Sequence, residues 1–157
     1  MSTSELAQCI PRKSLSGNIS WQTALTSTNT YNTSLNILFR KFIGNNKIRK
    51  SHILAQIYIE TGMLRTISED GNGNNKPYDA FFGRGYLQLT WLKNYKDYGT
   101  YKKIPNITNQ NYNDHRINQT SHHLTANGGT SVIWWPKYDP SIISTDQNHA
   151  GEASGFY

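Results

Sequence analysis

Two apolar stripes at helical spacing, each followed by a glycine, constrain this chain more than any other feature. Leu35, Leu38, Phe39 and Phe42 recur at the i, i+3, i+4, i+7 interval of one helix face, and Gly44 stands where such a helix would stop. Ile53, Leu54, Ile57 and Tyr58 form a second stripe, with Ser51 as its candidate N-cap and Thr61-Gly62 as its end signal. The spacing predicts a core-facing helix over about residues 34–43 and a second helix that places Glu60 in its last turn. Faces of this kind are buried against other helices, so the expected fold class is mainly α, with at most a small strand pair. Cys9 is the single cysteine, so no internal disulfide exists and packing must carry the stability.

The remaining punctuation fits a helical chain. Ser2-Thr3-Ser4-Glu5 reads as a capping box that opens a short helix stopped by Pro11. The twenty or so residues that follow are rich in Ser, Thr and Asn, with Trp21 as their one large anchor. Gly71-Asn72-Gly73-Asn74-Asn75 reads as a flexible loop, and Thr90 to Tyr98 as a short helix closed by Gly99. Another helix is expected to end near Trp134-Trp135, because Pro136 disfavours helical geometry in the residue before it. At 157 residues with no long linker, one compact domain over 1–157 is expected.

Composition narrows the function classes without choosing one. The chain is polar, with a mean hydropathy of −0.67, yet four Trp, ten Tyr and five Phe supply apolar surface for a core and a cleft. Its formal charge of +6 favours encounter with polyanions, including nucleic acid, anionic lipid and the bacterial wall. Lys41, Lys47, Arg49 and Lys50 form the densest basic cluster, but no nucleic-acid-binding signature accompanies them, so they read as a solvated face. No apolar run approaches eighteen residues and no signal-peptide pattern opens the chain, so membrane insertion is not expected. His122-His123 lacks the spacing of a zinc site, and neither metal nor organic cofactor is expected.

The acidic residues carry the chemical reading. Glycoside hydrolysis usually takes two carboxyl groups, one donating a proton to the leaving oxygen and one activating water or stabilising positive charge. Glu60 suits the acid role: the negative end of a helix disfavours its anion, and Ile59 and Met63 are placed to desolvate it. Glu69 lies nine residues on, which along one unbroken helix means about 13.5 Å of rise and half a turn of rotation. A helix ending near Gly62 lets the chain fold back instead and bring Glu69 across a cleft. Asp70 and Asp79 are the fallback bases.

Two segments now add a resemblance. Gln56-Ile57-Tyr58-Ile59-Glu60-Thr61-Gly62, and the run Phe81-Phe82-Gly83-Arg84-Gly85 with Gln88, Thr90, Asn94 and Tyr95, are similar to the active-site frame of glycoside hydrolase family 19. That family comprises chitinases and phage or bacterial lysozymes of helical, two-lobed, lysozyme-like fold. The resemblance is clear over about 31–99 and fades to about 138, leaving 1–30 as an N-terminal extension or lobe. It implies Glu60 as general acid and Glu69 as base, at the spacing of the lysozyme branch. It also implies Gln88 and Asn94 as substrate ligands and Thr90 as a holder of the nucleophilic water. Arg84, Tyr86 and Trp91 complete the expected substrate-binding set, with Arg84 fixing the loop through a buried charge-assisted bond. Ile59 departs from the family, which commonly has His there. Family members continue with a further segment, so the resemblance implies that additional chain or another protein completes one cleft wall.

The expected activity is therefore a muramidase that cuts the β-1,4 bond between N-acetylmuramic acid and N-acetylglucosamine by inversion. A chitinase on the same frame, a non-catalytic wall-binding module and, third, a nucleic-acid binder are the rivals. The expected partner is the peptidoglycan glycan strand. The resemblance further implies an endolysin or a type VI secretion effector, made in the cytoplasm and acting in the periplasm or wall, the effector being matched by an immunity protein.

Overall fold

The structure, a computed structural model, describes residues 1–14, 17–105, 112, 114–118, 125–126, 130–131 and 137–157. Six α-helices frame the described residues: α1 (Thr3–Cys9), α2 (Trp21–Leu38), α3 (Lys47–Glu60), α4 (Leu92–Tyr101), α5 (Ile142–Thr145) and α6 (Gln147–Phe156). A π turn over Phe39–Ile43 extends α2, and 3-10 turns lie at Asp79–Phe81 and His115–Asn118. Among the described residues, strand is confined to two short antiparallel pairs, β1 (Lys13–Ser14) with β2 (Gly17–Asn18) and β3 (Thr125–Ala126) with β4 (Thr130–Ser131). The chain is mainly helical, as the apolar periodicity predicts. Trp134-Trp135, with the helix expected to end there, and His122-His123 lie outside the described residues.

The capping box opens α1 as expected. The Glu5 amide donates to Ser2 Oγ at 3.2 Å, and the Ser2 amide donates to Glu5 Oε2 at 2.6 Å. The next helix differs from expectation. It begins at Trp21 rather than near residue 34, capped by Ser20 Oγ, which accepts from the Thr23 amide at 3.0 Å. Its Ser, Thr and Asn residues are weak helix formers, so tertiary packing holds them. Ala24, Thr28, Leu35 and Leu38 are buried, and the Thr28 hydroxyl is satisfied by the Ala24 carbonyl at 2.9 Å. Gly44, with φ +68°, closes the π turn as the expected stop.

Two boundaries also move. Asn46 rather than Ser51 caps α3, accepting from the Arg49 amide at 3.0 Å, while Ser51 sits inside the helix and donates back to the Lys47 carbonyl. Gly99 lies within α4 instead of ending it. A methyl group there would stand 2.8 Å from a ring carbon of Tyr138, so close packing explains this glycine.

Among the described residues, two buried clusters form the core. One joins Leu6, Leu35, Leu38, Leu54, Ile57 and Tyr58 from α1 to α3; the other joins Phe81, Leu89, Tyr95, Tyr98, Tyr138 and Ile143 around α4 and α5. Helix α6 serves both, giving Ala150 to the first and Ala153 to the second. Its small residues permit that place. A methyl group on Gly151 would lie 2.4 Å from the Ser34 carbonyl oxygen, and one on Gly155 would lie 2.2 Å from the Phe42 ring.

Candidate active site

Helix α3 ends at Glu60, and the chain then reverses through three consecutive left-handed residues, Gly62, Met63 and Leu64, at φ +55°, +64° and +63°. Only the first is a glycine, so the other two carry strain of about 1–2 kcal/mol each. Thr61 stabilises the reversal by donating from Oγ1 to the Ile57 carbonyl at 2.5 Å and accepting from the Leu64 amide at 2.9 Å. The expected break after Glu60 is present. Residues 67–69 then run antiparallel to the Gly-Arg-Gly segment: the Gly85 amide donates to the Ile67 carbonyl at 2.8 Å, and the Glu69 amide to the Gly83 carbonyl at 2.8 Å.

That ladder delivers Glu69 to the loop with its carboxylate held by two donors. Tyr78 Oη donates to Oε1 at 2.7 Å, and the Gly83 amide donates to Oε2 at 2.9 Å. Each carboxylate oxygen keeps a free lone pair, so the group is fixed in direction yet can accept from water or a hydroxyl. The bond to Glu69, more than burial, pushes the Tyr78 phenol up to about 12, so it remains a donor at neutral pH. The fallback bases stand differently. Asp70 is 86% exposed beside Arg65, and Asp79 is engaged by Arg116 at 2.7 Å.

The Glu60 side chain is exposed and has no hydrogen-bond or ion-pair partner among the described residues. Ile59 is 75% exposed and contributes no burial to it, contrary to the expected desolvation, because α3 turns that side to solvent. Met63, half-buried, follows within the reversal.

Arg84 is 3% exposed and anchors the loop from inside. Its Nη1 donates to Tyr95 Oη at 2.8 Å and to the Ala80 carbonyl at 3.2 Å, and its guanidinium carbon stacks 3.5 Å from the Phe82 ring centroid. Tyr95 Oη in turn donates to the Phe82 carbonyl at 2.6 Å. The expected charge-assisted brace exists, built on a phenol and carbonyls. A methyl group on Gly83 would lie 2.4 Å from Gln88 Oε1, so the Gln88 side chain would have to shift to admit one.

The three polar ligands expected from the motif are linked head to tail and half-buried. Gln88 Nε2 donates to the Gly85 carbonyl at 3.0 Å, Thr90 Oγ1 to the Gln88 carbonyl at 2.6 Å, and Asn94 Nδ2 to the Thr90 carbonyl at 2.8 Å. Trp91 is half-buried at φ +75° and meets Tyr78 edge to face at 5.3 Å, one ring away from Glu69. Tyr86 is a correction. Its ring is fully buried against Tyr31, with Oη 2.7 Å from Ser34 Oγ, so it packs in the scaffold instead of facing the expected cleft.

Strained backbone gathers in the same region. Non-glycine residues with left-handed φ include Met63, Leu64, Asn72, Asn75, Asp79, Gln88 and Trp91, all between the two glutamates or on the loop that follows. Such strain concentrates at functional sites, where the surrounding structure over-determines it. Tyr78 and Arg116 enter this site without a spacing or motif that would have marked them in the sequence. Among the described residues, no group of three or more His, Cys, Asp or Glu could hold a metal ion, and no helix is long and apolar enough to cross a membrane. No protein-family model, curated protein or solved structure matches the chain.

Proposed function

We propose that the chain is a glycoside hydrolase of the muramidase type, with Glu60 as general acid and Glu69 as base. The observation that carries this reading is the contrast between the two carboxyl groups. Glu69 is aimed by Tyr78 Oη at 2.7 Å and the Gly83 amide at 2.9 Å, while Glu60 stands unpartnered at a helix end, one strained reversal away. Acid–base hydrolysis of a glycoside requires two carboxyl groups in different settings, and here one is oriented by two donors while the other is left open to a substrate. Gln88, Thr90 and Asn94, which run from the Gly-Arg-Gly loop into α4, are assigned to the substrate in this reading, with Trp91 as a flat surface for the apolar face of a sugar. The net charge of +6 favours the anionic wall as substrate over neutral chitin.

In this mechanism Glu60 protonates the glycosidic oxygen, and Glu69 takes a proton from water attacking the opposite face of the ring. Inversion follows, with a carboxyl separation of about 6.5–9.5 Å. Digestion of purified peptidoglycan and chitin oligomers side by side, followed by borohydride reduction, identifies the bond cut. Reduced N-acetylmuramic acid ends support the muramidase reading, and cleavage of chitin alone refutes it. Product of retained anomeric configuration refutes the single-displacement step.

A further inference from the structure

Arg116, in the 3-10 turn His115–Asn118, is 14% exposed and uses every edge of its guanidinium. Nε and Nη2 grip Asp114 at 3.0 and 2.6 Å, Nη1 donates to Asp79 Oδ1 at 2.7 Å and Asn74 Oδ1 at 3.2 Å, and Nη2 donates to the Asn72 carbonyl at 2.9 Å. Two of these acceptors, Asn72 and Asn74, belong to the loop that leaves Glu69 and returns at Tyr78, and a third, Asp79, lies just past its end. Asn72 also donates its amide to the Glu69 carbonyl at 3.2 Å, and Asp79, directly after Tyr78, is held at φ +42°. The guanidinium thus ties the outgoing limb of the loop to the incoming one.

Asp114 anchors this clamp. Burial pushes its carboxyl up, and hydrogen bonds and charge from Arg116 outweigh burial, so the net shift is downward; Arg116 is raised, foremost by its hydrogen bond to Asp114. Both partners therefore stay charged at neutral pH. A planar fork that reaches two carboxylates, an amide and a carbonyl at once is a task lysine cannot perform.

The geometry points to Arg116 as a positioning residue for Glu69: by closing the Asn72–Asp79 loop it sets Tyr78 Oη on Oε1 and keeps Trp91 against Tyr78. Its catalytic consequence rests on the hydrolase reading above. Arg116 touches no reacting atom and acts through Tyr78. Losing it frees the loop, and a misplacement of about 1 Å at a catalytic group costs about 100-fold in rate.

The test combines kinetics with an activity-independent readout. Arg116→Gln is expected to lower kcat on soluble peptidoglycan fragments about 100-fold with KM nearly unchanged. Arg116→Lys, which keeps the charge without the fork, should recover only part of that. Tyr78→Phe should cost about as much, and the double variant no more than either alone, since both act on one carboxylate. Losses that multiply, a rise confined to KM, or full activity in folded Arg116→Gln would overturn the role. In parallel, the Gly83 amide resonance, which reports the bond to Glu69 Oε2, should move in Arg116→Gln; an unchanged resonance overturns positioning even if wild type cuts no glycan, a result that would refute only the hydrolase reading. Should Arg116→Gln unfold, Arg116→Lys gives both readouts.

Discussion

Replacing Ser154 by alanine probes how α6 holds the Gly-Arg-Gly loop. Ser154 is 4% exposed, and its Oγ accepts from the Tyr86 amide at 2.8 Å and the Leu87 amide at 3.3 Å while donating to the Ala150 carbonyl at 2.8 Å. The Tyr86 amide has no other acceptor among the described residues. Truncation leaves that buried donor unsatisfied, which costs about 1–3 kcal/mol. Alanine's better helix propensity returns roughly 0.5 kcal/mol. The net loss is about 0.5–2.5 kcal/mol, and at about 2–4 °C per kcal/mol for a chain of this size Tm should fall by about 1–10 °C. Thermal unfolding followed by circular dichroism, with urea titration alongside, measures both quantities. An unchanged Tm and urea midpoint would refute the claim that this hydroxyl is what joins α6 to the loop.

Three further outcomes follow from the packing and charge. Gly151→Ala drives a methyl group to 2.4 Å from the Ser34 carbonyl, a backbone atom that cannot swing aside, and should cost about 1–3 kcal/mol in urea unfolding. Tyr86→Phe removes the bond to Ser34 Oγ and should lower stability by about 1 kcal/mol while leaving turnover intact, because the ring is scaffold; a selective loss of kcat would place it back at the substrate. Burial raises the Glu152 carboxyl but bonds from Lys102 and Lys41 lower it more, so its folded value lies below the ordinary 4.5. The unfolded chain then binds the proton more tightly, so stability is full above about 4.5 and falls as pH drops through the folded value. Glu152→Gln should flatten that acid limb in pH-dependent unfolding.

Local signals were readable where a single side chain decides the geometry. The Ser2 to Glu5 box, the Gly44 stop and the break after Glu60 all follow from capping and left-handed backbone, which need no distant partner. Features decided by tertiary contact were not. Trp21 to Ser34 is poor in helix formers and becomes helical because α1 and α6 cover it. Helix α6 is a run of small residues whose apolar face is too slight to show periodicity, yet closeness of approach is what it supplies. Ser51 and Gly99 carry the right chemistry for a cap and a stop, but Asn46 lies a turn earlier and Tyr138 demands a glycine inside the helix. At the site, Glu69, Arg84, Gln88, Thr90 and Asn94 come together from one short stretch, while Tyr86 alternates into the core. Tyr78 and Arg116 reach Glu69 only through a folded loop, and no local pattern encodes that.

Release of muropeptides from purified peptidoglycan, compared by mass spectrometry between wild type, Glu60→Gln and Glu69→Gln, tests the central claim most directly. Wild type should liberate fragments ending in reducing N-acetylmuramic acid. Each variant, folded by circular dichroism, should release them about 10²–10⁴-fold more slowly, the range expected when a general acid or base is lost. Undiminished release by either folded variant, or no release by wild type, would contradict the assignment of Glu60 and Glu69 as the acid and base of a wall-cutting hydrolase.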